Sequence, residues 1–192
     1  MGLFFMKALL HICCAPCTIY PLRVLRGEGH DVTGFFYNPN IHPYTEFRRR
    51  LDTVSVYSTV AHLPVTIDDT YNVEAFLNRV LPLGKDRCLG CYRERLDRAF
   101  VEAHVREMEA VTTTLLYSKY QRHDEIVEIA EELSEKHSVP FLYIDVRTGW
   151  KEGQNGSRNL GLYRQQYCGC IVSEQERFLG GGGRTTRKQQ GG

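Results

Sequence analysis

Short apolar segments alternate along the chain with segments of helical period, and this alternation limits the possible folds more than any other feature of the sequence. The apolar segments are rich in β-branched and aromatic residues, which is typical of buried strands. They cover residues 7–12, 31–37, 63–67, 111–116 and 139–144. Strands of this kind, separated by helices, predict a parallel sheet in an α/β domain.

Helical periodicity is clear in residues 91–108 and 123–137. In the second segment, apolar residues recur at i, i+3, i+4 and i+7 from Ile126 to Leu133, which predicts an amphipathic helix. We therefore expect a Rossmann-like parallel sheet with helices on both faces. In such folds, ligands bind beyond the C-terminal ends of the strands.

The segment HICCAPC, residues 11–17, lies where the first predicted strand ends and a helix begins. We expect that helix to stop near Gly27 and Gly29. Three cysteines are therefore predicted at the ligand-binding edge of the sheet. The turn lacks the glycine run that cradles a phosphate, so we do not expect nucleotide binding there.

The seven cysteines need an explanation, because a chain of 192 residues buries enough surface to fold without disulfides. Two C-x-x-C pairs, Cys14/Cys17 and Cys88/Cys91, favour a metal site. Zinc is one interpretation, although zinc ribbons separate their pairs by about 15–20 residues and here seventy intervene. An iron–sulfur cluster also accepts adjacent ligands such as Cys13 and Cys14, and it transfers electrons.

A single glycine separates Cys168 from Cys170. A disulfide across so short a ring is strained and easily reduced. The spacing therefore favours a redox function over a structural disulfide.

The chain is predicted to form one domain, residues 1–179, followed by a flexible glycine-rich basic tail, residues 180–192. Residues 1–144 carry 16 basic and 19 acidic side chains, whereas residues 145–192 carry 8 and 4. The basic excess favours either a solvated tail or a phosphate-contacting surface. Lys7 and His11 interrupt the apolar N-terminus, and no apolar run approaches the length of a membrane span, so we expect a cytoplasmic protein without a membrane partner.

Five motifs carry a resemblance to a known family, in order, over residues 7–178: HICCAPC, GFFYNPNIHPYTEFRRRL, RCLGCYRERL, TTTLLYSKYQRHDEI and GLYRQQYCGCIVSE. The chain resembles the cobalamin-independent epoxyqueuosine reductases, which complete queuosine synthesis on transfer RNA. Lys119 stands where several relatives have proline.

The resemblance implies a fold related to the adenine-nucleotide α-hydrolase-like proteins, a [4Fe–4S] cluster, a neighbouring single iron and a redox-active cysteine pair. Carried over by position, the implied cluster ligands are Cys13, Cys14, Cys88 and Cys91. Cys17 would bind the additional iron and act in catalysis. Cys168 and Cys170 would form the redox pair.

The implied reaction removes the epoxide oxygen from epoxyqueuosine at the wobble position of tRNA in a two-electron step. The electrons arrive through the cluster or from the Cys168–Cys170 dithiol, and the sequence does not identify the external donor. Basic and aromatic residues suit contacts to unstacked anticodon bases and phosphates. The expected substrate contacts are Tyr37, Arg147, Tyr163 and Arg164.

Other charged and polar residues are expected to be structural. We interpret the run Arg48 to Arg50 as a solvated helix face, and His11 and His42 as hydrogen-bonded structural residues.

Two other classes of protein fit the cysteine pattern. A zinc-stabilised nucleic-acid-binding module would hold one zinc and would not depend on Cys168 or Cys170. A thiol redox or sulfur-transfer enzyme would bind iron but leave the epoxide of the tRNA intact.

Overall fold

The computed structural model describes residues 5–179 and contains a four-stranded parallel sheet in the order β3-β2-β1-β4. The chain runs outward from β1 to β3 and then returns to place β4 on the other side of β1. This reversal makes the C-terminal ends of β1 and β4 the switch point, where open α/β sheets bind ligands. The strands are β1 Lys7–His11, β2 Asp31–Tyr37, β3 Val65–Asp68 and β4 Ala110–Thr113.

The prediction of a fifth strand over residues 139–144 is wrong. This segment makes only an isolated bridge between Val111 and Phe141. The Val111 amide donates to the Pro140 carbonyl at 2.9 Å, and the Leu142 amide donates to the Val111 carbonyl at 2.8 Å. Pro140 has no amide hydrogen to extend the ladder.

The fourth predicted strand, residues 111–116, is also too long, because β4 ends at Thr113. A 3-10 turn over Thr114–Tyr117 follows, and the Thr113 hydroxyl accepts the Leu115 amide at 3.1 Å at its start.

Helices cover both faces of the sheet, as predicted. The helix predicted over residues 123–137 is confirmed at both ends. The segment after Gly149, which has no clear periodicity, nevertheless contains two helices. Within residues 5–179 the α-helices are α1 Ala15–Gly27, α2 Tyr44–Val60, α3 Val73–Val80, α4 Arg87–Val105, α5 His123–His137, α6 Trp150–Asn159 and α7 Ile171–Phe178.

Two apolar clusters hold the helices against the sheet. The neighbouring residues Leu9 and Leu10 point to opposite faces, as alternation along a strand requires. Leu9 belongs to the cluster that includes Leu96 of α4. Leu10 belongs to the cluster that includes Leu25 of α1. The central strand is therefore buried on both sides, which fixes its C-terminal end.

Two glycines allow α6 to lie close to α1 and to the 3-10 turn. A Cβ at Gly149 would lie 2.2 Å from ring atoms of Tyr20, and one at Gly153 would lie 2.2 Å from the Tyr117 hydroxyl oxygen. That hydroxyl donates to the carbonyl of Trp150 at 2.9 Å. Aromatic side chains therefore set the position of α6.

We expect Gly149→Ala to lower the free energy of unfolding by about 2 kcal/mol, because the new methyl group overlaps the Tyr20 ring. Thermal unfolding should show this as a Tm lower by about 4–8 °C. Gly27→Ala is the matched control, since no atom lies within 4 Å of its added Cβ. Equal melting temperatures for the two variants would show that α6 can move away from the Tyr20 ring without loss of stability.

No helix within residues 5–179 is long and apolar enough to cross a membrane. The segment predicted to be a flexible tail, residues 180–192, lies outside the described residues.

Candidate metal and redox site

The HICCAPC segment lies at the switch point, where side chains from β1 and β4 join the two strands. The Nδ1 atom of His11 lies 2.8 Å from the Thr113 hydroxyl, and the Cys13 amide donates to the Thr114 hydroxyl at 2.9 Å. Burial lowers the pKa of His11 to about 3, so its ring is neutral. The prediction that His11 is a hydrogen-bonded structural residue is confirmed.

Helix α1 begins directly at these cysteines. Cys14 is its N-cap, with extended backbone, and a proline follows in the first turn. Proline suits that position because its missing amide hydrogen would have no partner there. The Thr18 hydroxyl donates to the Cys14 carbonyl at 2.9 Å. The positive end of the helix dipole therefore faces the thiols.

The sulfur atoms of Cys13, Cys14 and Cys17 all lie within 4.8 Å of one another. Cys14 and Cys17 are buried, and Cys13 is partly exposed. Gln165 approaches from the C-terminal region, with its side-chain nitrogen 2.9 Å from the Cys14 sulfur. A set of three thiols suits soft metal centres, such as zinc or an iron–sulfur cluster.

The pKa values of the three thiols are shifted in different directions. Hydrogen bonds from Cys14 and Cys17 lower the pKa of Cys13 well below its usual range. Burial raises the pKa of Cys14, and the hydrogen bond with Cys13 is the largest cause of the raised pKa of Cys17. The directions of these shifts favour a Cys13 thiolate beside protonated Cys14 and Cys17, and a bound metal would displace the remaining protons.

Four further cysteines form a second thiol group. Cys88 and Cys91 lie in the first turns of α4, where Cys91 is buried. Burial is the main cause that raises the pKa of Cys91 to about 12, and the charge of Cys168 contributes to this rise. Burial and the charge of Cys168 also raise the pKa of Cys88. Cys88 and Cys91 therefore lie within electrostatic reach of Cys168 and Cys170.

The Cys168–Gly169–Cys170 segment is held through its backbone. Arg50 of α2 donates to the carbonyls of Cys168 at 2.9 Å and Tyr167 at 3.1 Å. The His42 amide donates to the Gly169 carbonyl at 2.8 Å. Gly169 has a φ of +129°, a value that favours glycine, and an added Cβ would lie 3.1 Å from the Arg50 guanidinium. None of these contacts uses a sulfur atom of the segment.

Arg50 is 2% exposed, so the interpretation of Arg48 to Arg50 as one solvated face is wrong for this residue. Its Nε donates to the Glu46 carboxylate at 2.7 Å. The Tyr163 hydroxyl donates to the other carboxylate oxygen at 2.6 Å, and Arg49 lies 4.7 Å from the Tyr163 ring centroid. The predicted substrate contact Tyr163 therefore joins the network that holds the Cys168–Gly169–Cys170 segment.

We expect Arg50→Met to lower the free energy of unfolding by about 3 kcal/mol, because it leaves the buried Glu46 carboxylate without its cation. A thermal melt measures the loss. Arg48→Met is the matched control: its ion pair with Asp52 is exposed, so the change should be below about 0.5 kcal/mol. A wild-type Tm for Arg50→Met would show that the buried pair contributes nothing to stability.

Two other predicted substrate contacts lie on the surface with local partners. Arg147 pairs with Asp145 at 2.6 Å and holds the pKa of that carboxyl at about 2. Arg164 donates to Gln154 of α6 at 2.7 Å. Neither makes a polar contact with a thiol within the described chain.

The fourth predicted contact, Tyr37, ends β2 and donates to the Glu94 carboxylate at 3.4 Å. Burial is the main cause of its raised pKa, about 12. His42 differs from its prediction, because neither ring nitrogen has a hydrogen-bond partner in residues 5–179. Its ring packs beside Phe76, with centroids 5.4 Å apart.

Three polar residues at the site are not among the predicted site residues: Arg50, Arg95 and Gln165. Arg95 follows Cys91 by four residues on α4, which places both on one face of the helix, and this spacing is a usable signal. Gln165 carries no such signal, because it reaches the thiols from far along the chain.

Fold and site together define a parallel α/β protein with a close group of three thiols at the edge of its sheet. Residues 8–176 match the family model described as Epoxyqueuosine reductase QueH. The chain belongs to the epoxyqueuosine reductase QueH family, a family of oxidoreductases.

Several relatives with that same name match most of the chain. The protein from Dehalococcoides mccartyi is 35% identical over 172 residues, which cover 90% of this chain and 94% of the relative. The Thermotoga maritima protein is 35% identical over 181 residues, covering 88% and 91%. The Helicobacter pylori protein is 31% identical over 176 residues, covering 84% of this chain and 48% of the relative.

Proposed function

We propose that this chain reduces epoxyqueuosine in tRNA to queuosine. The observation that carries the proposal is the close group of three thiols, Cys13, Cys14 and Cys17, directly after β1 in a chain of this family. In the proposed reaction both carbon–oxygen bonds of the epoxide break, an alkene forms and the oxygen leaves as water. This change consumes two electrons and two protons.

The donor set supports an iron–sulfur centre. All the candidate ligands are thiols, and iron–sulfur clusters are held by thiolates. In our proposal Cys13, Cys14, Cys88 and Cys91 hold a [4Fe–4S] cluster, and Cys17 holds an additional iron. When bound, the cluster would supply one-electron transfer, and the single iron would supply Lewis acidity toward the epoxide oxygen.

Cys168 and Cys170 act as the redox pair in this proposal. Their two thiols lose two electrons and two protons and form one disulfide, which balances the reduction of the epoxide to alkene and water. An external dithiol reductant then restores the pair. The exposure of Cys168 supports this role, because both substrate and reductant must reach it.

Tyr37, Arg147, Tyr163 and Arg164 are proposed to contact the tRNA. Arginine and tyrosine side chains bind single-stranded RNA through phosphate contacts and base stacking. The Arg49–Tyr163 stack lies next to the contacts that hold the redox segment, which supports Tyr163 most directly.

The test is to purify the full chain anaerobically and measure iron, sulfide and zinc. The same sample is then incubated with epoxyqueuosine-containing tRNA and a strong reductant. Iron, sulfide and conversion to queuosine are the expected results. One zinc without sulfide would favour a nucleic-acid-binding module, and bound iron with an intact epoxide would favour a thiol redox or sulfur-transfer enzyme.

A further inference from the structure

Arg95 is buried almost completely, with 2% of its surface exposed. It belongs to α4, one turn after Cys91. One guanidinium nitrogen, Nη2, donates to the side-chain oxygen of Asn38 at 2.6 Å. Asn38 is itself held in place, because its amide donates to the Ile12 carbonyl at 2.9 Å. The guanidinium is thus fixed inside the site.

No carboxylate of residues 5–179 forms a salt bridge with Arg95, and its Nε has no hydrogen-bond partner there. The contrast is Arg50, which is buried to the same degree and pairs with Glu46. Arginine stays charged in proteins, and an unpaired buried charge is strongly unfavourable. The fold therefore keeps a cation in its interior that requires an anion.

The acidic groups whose electrostatic effect reaches this cation are thiols. The charges of Cys91, Cys13 and Cys168, when these thiols are ionised, stabilise the protonated Arg95 guanidinium and so raise its pKa. Cys13 belongs to the first thiol group, and Cys91 and Cys168 belong to the second. Arg95 therefore lies within electrostatic reach of thiols from both groups.

We propose that Arg95 is the built-in counter-ion of the iron–sulfur centre, a positioning residue whose charge is balanced when the surrounding thiolates hold the cluster. This inference rests on the cluster assigned in the proposed function. A fixed cation beside a negatively charged cluster stabilises the reduced form, which carries one more electron, and so raises the reduction potential. It also opposes loss of the cluster.

The test compares reconstituted full-length Arg95→Met, Arg95→Lys and wild-type protein. Arg95→Met should lose iron to a chelator about 10- to 100-fold faster than wild type, the range found when partners behind metal ligands are removed. Its midpoint potential, measured by a redox titration followed by electron paramagnetic resonance, should shift to more negative values. Arg95→Lys keeps the charge and should recover most of both properties.

Arg93→Met is the matched control, because Arg93 lies on the same helix and its ion pair with Glu132 is exposed. Its iron retention and potential should equal those of wild type. Thermal unfolding of the metal-free full chain distinguishes a purely structural role of Arg95 from its proposed role as a counter-ion. In our proposal Arg95→Met lowers the Tm of the metal-free chain less than that of the reconstituted chain, since the variant removes an unpaired buried charge together with its hydrogen bond to Asn38.

Wild-type retention and potential in Arg95→Met would overturn the inference. So would a Tm loss in the metal-free variant as large as the loss in the reconstituted variant, or wild-type protein that takes up no cluster. The readouts do not depend on turnover. A wild-type chain that holds the cluster with the Arg95-dependent potential but leaves epoxyqueuosine unchanged would contradict the proposed reaction alone.

Discussion

Cys170→Ser is expected to reduce epoxyqueuosine conversion by about 1000-fold or more while leaving the iron and sulfide content unchanged. Serine is close to cysteine in size but cannot form a disulfide, so the two-electron step loses its dithiol. Cys168→Ser should have the same effect. The measurement is the conversion of epoxyqueuosine in tRNA by anaerobically reconstituted protein, with metal analysis of the same sample.

The backbone contacts of this segment make the serine variants clean tests. Arg50 and His42 hold the carbonyls of Cys168 and Gly169 rather than the sulfur atoms. The segment should therefore keep its place in the variants. Gln175→Ala, on the exposed face of α7, is the control and should retain full activity. Conversion at the wild-type rate by both serine variants would remove the cysteine pair from the mechanism.

Cys14→Ala should remove most of the bound iron and sulfide and, with them, measurable activity. Cys14 belongs to the close group of three thiols and also caps α1, so no other side chain of that group can take its position. The expected result is a colourless preparation with less than about one tenth of the wild-type iron, in line with the loss of a metal ligand. Iron and sulfide analysis with a visible absorption spectrum measures it.

The control for Cys14→Ala is Thr112→Val on β4. Thr112 is fully buried, and its hydroxyl has no partner within residues 5–179, so the isosteric change alters a buried polar group without touching a thiol. Metal content should stay at the wild-type level. If Cys14→Ala also retained its full iron content, the ligand assignment for the first thiol group would be wrong.

The sheet and its long helices could be predicted from the sequence because their signals are local. Residues 31–37 and 123–137 match β2 and α5 at both ends, since continuous apolar runs and 3.6-residue periodicity directly reflect burial. The segment 139–144 has the same apolar composition as a strand, but Pro140 stops its pairing after one bridge. The apolar composition of the segment does not show that its strand pairing stops after one bridge.

The parts of the site that the sequence does not predict depend on contacts between distant segments. Arg50 lies in a run of three arginines, and its burial results from a segment 117 to 118 residues away that covers it. Helix α6 contains glycines that weaken helical periodicity, yet these glycines allow its close approach to aromatic rings. Arg95 is the intermediate case, since its spacing from Cys91 is visible and its lack of a carboxylate is not.

The way in which α2 holds the Cys168–Gly169–Cys170 segment has a consequence for protein engineering. Because Arg50 binds main-chain carbonyls, the three-residue segment carries little information about its own position. Grafting it alone onto another α/β scaffold would yield two cysteines in an undefined loop. A transferable module must include the Glu46–Arg50 helical turn, and the length of the loop would then be the main variable left to the designer.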